Sequence, residues 1–136
     1  MASSDALALL NAKVTAMNYT ILIYETAADF ARRKDADAKK RAAYWAEWPP
    51  YAQALKDAGV FVGGAGLQPP ETATLLKLRD GQRHVQDGPY ADTKEQLGGY
   101  FIINVPNLDA ALDWAARIPQ SPGRVFEVRP NLVPPS

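Results

Sequence analysis

The chain has 136 residues, 47% of them hydrophobic and 22% charged, and its 15 basic and 15 acidic side chains give a formal net charge of zero. That is the composition of one ordinary globular domain, and the neutral balance argues against a nucleic-acid binder, which needs a net basic face. With no cysteine and a single histidine, His84, disulfides, thiolate metal sites, cysteine nucleophiles and a multi-histidine metal site within one chain are excluded.

Residues 1–16 form an Ala/Leu-rich leader without the basic start and long apolar core of a secretory signal. We read it as an extension of a domain that begins near Met17. A short helix with Leu7, Leu10 and Val14 on one side is the other reading. No apolar run approaches the roughly 20 residues of a membrane span, and cytoplasmic is the default location.

Tyr19 to Glu25 reads as a strand, and both of its alternating sets, Tyr19/Ile21/Ile23 and Leu22/Tyr24, are apolar, as in a strand buried on both faces. Asp35 to Gly59 reads as helical, with Trp45, Trp48, Ala52 and Leu55 on one face. Pro49-Pro50 predicts a break near Trp48 and a new first turn, and Gly59 a stop. Arg32-Arg33-Lys34 and Lys39-Lys40-Arg41 read as solvated.

Val60 starts a second strand that runs into Gly63-Gly64-Ala65-Gly66, where the glycines imply a bulge, a bend or a close approach of backbone or ligand. Ala73 to Arg79 and Gln82 to Gln86 form a hairpin about Asp80-Gly81, because a two-residue type I′ turn needs two positive φ angles. That turn pairs Arg79 with Gln82 and Thr74 with Asp87. It also puts Asp87 on one face with Thr74, Leu76, Leu78 and Val85, while His84 points away with Lys77. Asp92-Thr93-Lys94-Glu95 reads as a helix N-cap. Gly99 to Val105 is another strand apolar on both faces, Asn107 caps a helix whose face is Leu108, Ala111, Leu112 and Ala115, and Gly123 to Arg129 is the last strand before a Pro-rich tail at 131–136.

The order β-α-β-β-β-β-α-β reduces, without the hairpin, to the ferredoxin-like β-α-β-β-α-β of an α+β protein. Two helices cover one face of such a sheet, so a second copy of the chain is expected on the other.

Asp87-Gly88-Pro89-Tyr90-Ala91-Asp92-Thr93-Lys94-Glu95-Gln96-Leu97-Gly98-Gly99 closely resembles the signature of the DGPF, or YCII-related, family. Tyr90 stands in place of the usual Phe and Asp92 in place of the usual Glu. The opening Ile21-Leu22-Ile23-Tyr24-Glu25, the stretch Gly63 to Pro69, the Arg79-Asp80-Gly81 turn and Ala110 to Ile118 carry the resemblance through residues 17–130. It implies a dimeric α+β barrel of two ferredoxin-like sheets packed face to face. Distant relatives include cofactor-free monooxygenases, muconolactone-isomerase-like enzymes and a dehydrochlorinase, and many members are associated with extracytoplasmic-function sigma factors. The His–Asp pair of some relatives has no histidine to supply it on the first long helix here.

Asp87 is the leading catalytic candidate. A carboxylate against apolar walls holds its proton more tightly and can serve as general acid or base near neutrality. A turn residue bonding its own backbone is the alternative. Tyr24, Tyr51, Tyr90, Lys94 and Trp48 are candidates for binding a cyclic or phenolic molecule, core packing being the alternative for the aromatics. Two functions are open at this point. One is a small-molecule binder or lyase/isomerase needing no metal or organic cofactor. The other is a non-catalytic dimeric accessory or regulatory module.

Overall fold

The structure is a computed structural model and describes residues 16–135. The expectations for the leader up to Thr15 and for Ser136 lie outside the described residues. Its elements are β1 (Met17–Thr26), α1 (Ala27–Arg32), α2 (Ala38–Ala46), α3 (Trp48–Asp57), β2 (Phe61–Gly66), β3 (Thr74–Arg79), β4 (Gln82–Asp87), β5 (Glu95–Val105), α4 (Leu108–Ala116) and β6 (Val125–Pro130). Four strands form an antiparallel sheet in the order β2-β5-β1-β6, and β3-β4 form a separate two-stranded hairpin. This is an α+β protein of ferredoxin-like arrangement, with the hairpin inserted between β2 and β5. No helix among the described residues is long and apolar enough to cross a membrane.

Strand alternation sets the two layers. Tyr19, Ile21 and Ile23 of β1 pair with Ile103, Phe101 and Gly99 of β5, and all face the helices. Tyr51 and Leu55 of α3, Ala111 and Ala115 of α4, and Ile118 close over them as the core. Each buried Ile or Leu contributes about 1.5–3 kcal/mol relative to exposure. The opposite face carries Leu22, Tyr24, Tyr100 and Ile102, all half-buried, with Leu97 and Val125 more exposed beside them. No helix among the described residues covers that face.

The hairpin forms in the expected register, from Arg79↔Gln82 to Thr74↔Asp87. Asp80 has φ 48° and Gly81 φ 76°, the two left-handed residues the turn demands. The helical stretch breaks at Glu47, Pro49 and Pro50 stand in the first turn of α3, and Gly59 stops the chain at φ 72°.

Three expectations need correction. Asp92 to Glu95 caps no helix. The chain runs irregularly to β5, which starts at Glu95 because Glu95, Gln96 and Leu97 pair with Thr26, Glu25 and Tyr24. Sheet pairing wins over the cap-like sequence, and the loop is tied instead by Gln96 Nε2 donating to the carbonyls of Ala91 (2.7 Å) and Thr93 (3.0 Å). In α4 the buried stripe is Ala111 and Ala115, while Leu108 and Leu112 are exposed. At about 100° per residue Leu112 lies well round from the stripe that Trp114 and Ile118 continue. Finally, α1 was not expected. Thr26 and Asp29 form a reciprocal capping box at its start: the Thr26 hydroxyl accepts from Asp29 N at 3.2 Å, and Asp29 Oδ2 accepts from Thr26 N at 3.4 Å.

Candidate ligand cavity

A cavity of about 600 Å³ opens between the helix-side face of β2/β5 and the helices α1, α2 and α3. The glycines explain why it is there. On the β2/β5 pair, Gly64 lies opposite Phe101, and Gly66 opposite Gly99. Gly64, Gly66 and Gly99 all line the cavity, so part of its floor is backbone where side chains would otherwise meet the helices. The walls are aromatic: Phe30, Tyr44, Trp45, Trp48, Phe61 and Phe101. A Cβ on Gly66 would meet nothing within 4 Å, whereas one on Gly64 would lie 2.7 Å from the Tyr100 carbonyl and one on Gly99 2.9 Å from the Ala65 carbonyl.

One end of the cavity is a buried ionic network. Alternation along β1 brings Glu25 to the helix face, where it is 1% exposed, and α1 brings Asp29 to the same depth. Glu25 Oε1 is 2.6 Å from Arg33 Nη2, and Glu25 Oε2 accepts from the Tyr44 hydroxyl at 2.7 Å and from Arg124 Nη2 at 3.4 Å. Arg124 also pairs with Asp29 Oδ1 at 3.4 Å, and the Ser121 hydroxyl donates to that oxygen at 2.6 Å. The half-buried Arg32 adds a third guanidinium, its Nη1 3.5 Å from Asp29 Oδ1, so both buried carboxylates are fully matched by positive charge, as burial requires.

Arg33 is the hub. Its Nε donates to Tyr44 Oη at 3.0 Å, its Nη2 also donates to the Gly98 carbonyl at 3.0 Å, and its Nη1 donates to the Leu67 carbonyl. The guanidinium carbon lies 4.8 Å from the centre of the Phe30 ring and 5.8 Å from those of Tyr44 and Trp45. One side chain therefore joins β1, α2, the end of β2 and the entry to β5. Burial works against its charge, but the hydrogen bonds to Tyr44 and Glu25 more than offset this and hold it charged more firmly than an ordinary arginine. Burial, aided by the bond to Glu25, pushes the Tyr44 phenol up to about 12.

The residues singled out from sequence fall in different places. Trp48 lines the cavity. Tyr51 is in the core beside it, its hydroxyl donating to the Trp114 carbonyl at 2.9 Å, and burial raises the pKa of its phenol. Tyr24 is on the other face of β1, with its hydroxyl 3.4 Å from Glu127 Oε2. Tyr90 is 85% exposed. Lys94 is exposed and lines a second, smaller cleft with Lys34, Glu71 and Asp92. Asp87 is exposed at the end of β4 and lies outside the lining of both. Its apolar neighbours on that face, Leu76, Leu78 and Val85, are themselves open to solvent. Arg33, read as part of a solvated run, is instead half-buried, with its side chain only 10% exposed. Glu25, Asp29, Tyr44 and Arg124 did not stand out either. A carboxylate continuing the apolar set Tyr19/Ile21/Ile23 was the one local sign of them.

Residues 17–131 match the YCII-related domain, and the chain belongs to that family. It is also 40% identical over 76 residues to an uncharacterised protein of Rhizobium meliloti (strain 1021). That match covers 54% of this chain and 61% of the relative, so it spans less than two thirds of the relative's length.

Proposed function

We propose that the chain binds a small cyclic molecule in the cavity above β2 and β5. The observation that carries this is the bare floor at Gly64, Gly66 and Gly99 facing the indoles of Trp45 and Trp48. Such a slot suits a flat ring, and about 600 Å³ is the size of ordinary small-molecule sites. Binding is favoured over proton transfer. Tyr44 holds its proton up to about 12, so it is not poised to exchange one near neutrality, and both oxygens of Glu25 are occupied by the three donors Arg33, Tyr44 and Arg124. Asp87, the candidate acid or base for a lyase or isomerase step, has its carboxylate open to solvent and outside the cavity lining, which also favours binding. No metal or organic cofactor is part of this proposal.

The test is a titration with naphthol, followed by tryptophan emission, of the parent and of Gly66→Val. The added side chain has room and no left-handed backbone to fight. We expect quenching in the parent and none in a normally folded Gly66→Val. Equal quenching in both would remove the cavity from consideration.

A second reading rests on a different observation. A two-stranded hairpin on its own is marginal in water, yet Leu76, Leu78 and Val85 are 52%, 70% and 62% exposed. Together with the face of Leu22, Tyr24, Tyr100 and Ile102, this favours a homodimer, its sheets face to face, that can also serve as an accessory or regulatory module, with the cytoplasm as its default location. Sedimentation equilibrium of the parent and of Ile102→Glu tests it: a dimer reduced to monomer by the substitution is expected, and a monomeric parent would end the idea.

A further inference from the structure

We infer that the ligand is a planar aromatic acid, its ring on the glycine floor and its anionic group at Lys34. This rests on the cavity reading above and assigns the chemical class of its occupant.

The argument comes from the charges that touch the cavity: Glu25, Arg33 and Lys34. Glu25 and Arg33 are bonded to each other at 2.6 Å, and their remaining polar atoms are taken by Tyr44, Arg124, Gly98 and Leu67. Four of the five Arg33 N–H groups are thus engaged, and its charge is balanced at close range by Glu25. Lys34 differs. Its ammonium is 3.4 Å from Glu71 Oε1, but the two side chains are 70% and 64% exposed. An exposed pair of this kind contributes little and exchanges readily with another anion. Glu71 does not line the cavity, whereas Lys34 does. The surplus and exchangeable charge at the cavity is therefore positive and sits at Lys34. Apart from Gln68 and Tyr44 the remaining lining is apolar or bare backbone, which rewards a ring, and it carries no further charge. Phe30 and Lys34 also line the smaller cleft that holds Lys94, so the anionic end of the ligand points toward that cleft.

The experiment compares naphthoate with its neutral analogue naphthylmethanol at neutral pH, read by tryptophan emission. It uses the parent chain, Lys34→Gln, Glu71→Gln and Gly66→Val. We expect naphthoate to bind about fivefold more tightly than the alcohol, the upper end of what one exposed ion pair contributes. Lys34→Gln should erase that advantage without changing the alcohol. Glu71→Gln, which releases Lys34, should increase it. Gly66→Val should abolish both. If acid and alcohol bind equally to the parent, or the acid keeps its advantage in Lys34→Gln, this inference is wrong while a loss of both ligands in Gly66→Val leaves the cavity standing. If neither ligand binds the parent, or Gly66→Val leaves them bound, the inference and the cavity fall together.

Discussion

Gly98 is the seat of Glu25. A Cβ built on Gly98 would collide with the Glu25 carboxylate and come within 3.1 Å of Arg33 Nη2. The Gly98 carbonyl meanwhile accepts from that same nitrogen. The backbone there is not left-handed, so the demand for glycine is one of space and not of conformation. The Gly98 of the motif from Asp87 to Gly99 is thereby explained by a residue at the end of β1. Gly98→Ala should destabilise the fold by about 2 kcal/mol, the usual size of an overpacking penalty. The penalty should shrink in a Glu25→Ala background, because the two substitutions share one contact. Denaturant midpoints at constant slope measure both. Equal penalties in the two backgrounds would break the link.

Removing one member of the network should cost more than removing a surface pair. Glu25→Gln leaves Arg33 and Arg124 with Asp29 as the remaining carboxylate, at a burial that gives water little chance to compensate. The expected loss is about 3–5 kcal/mol. Lys34→Gln, at an exposed pair, should change stability by less than about 1 kcal/mol. Chemical denaturation of the two variants decides. Similar losses would mean that the network is solvated in solution.

What could be read from sequence follows the range of the interactions. The β3–β4 hairpin depends on two adjacent residues, and Asp80-Gly81 permits few alternatives, so its register was legible down to Thr74↔Asp87. The Pro49-Pro50 break and the Gly59 stop are equally local. The ionic network is the opposite case. Glu25 meets Tyr44 across 19 residues and Arg124 across 99. Arg33 stands in a basic run that looks solvated until the end of β2 and the entry to β5 close over it. Asp92 to Glu95 failed for a related reason: its cap-like pattern is local, but the pairing that makes Glu95 to Leu97 a strand comes from β1. The glycines of β2 gave a true but incomplete sign. They pointed to a close approach without saying that Trp45 and Trp48 stand opposite.

Asp87→Asn separates a binding role from a chemical one. The side chain is exposed and makes no hydrogen bond among the described residues, so stability should stay within about 0.5 kcal/mol of the parent. Ring binding at the cavity should also be unchanged, because Asp87 does not line it. Thermal unfolding with and without naphthol measures both. A clear loss of stability would make the carboxylate a structural turn residue, and loss of the ligand shift alone would bring it into the site.

Two of the buried phenols, Tyr44 and Tyr51, predict a specific weakness in alkali. Tyr44 is raised from 10.0 to about 12, first by burial and then by its bond to Glu25. Below pH ~10 folded and unfolded chains both hold this proton, and its contribution is complete. Between about 10 and 12 the unfolded chain has released the proton and the folded one has kept it, so stability falls as pH rises. Burial raises Tyr51 too, in the same direction. Tyr44→Phe should cost about 1–3 kcal/mol at neutral pH, since a hydrogen bond to a charged carboxylate is lost. It should also flatten the alkaline decline, leaving the part due to Tyr51. Denaturant midpoints taken stepwise from neutral pH into this range test the sign and the assignment together. Parallel declines in parent and variant would show that Tyr44 does not keep its proton through the Glu25 network.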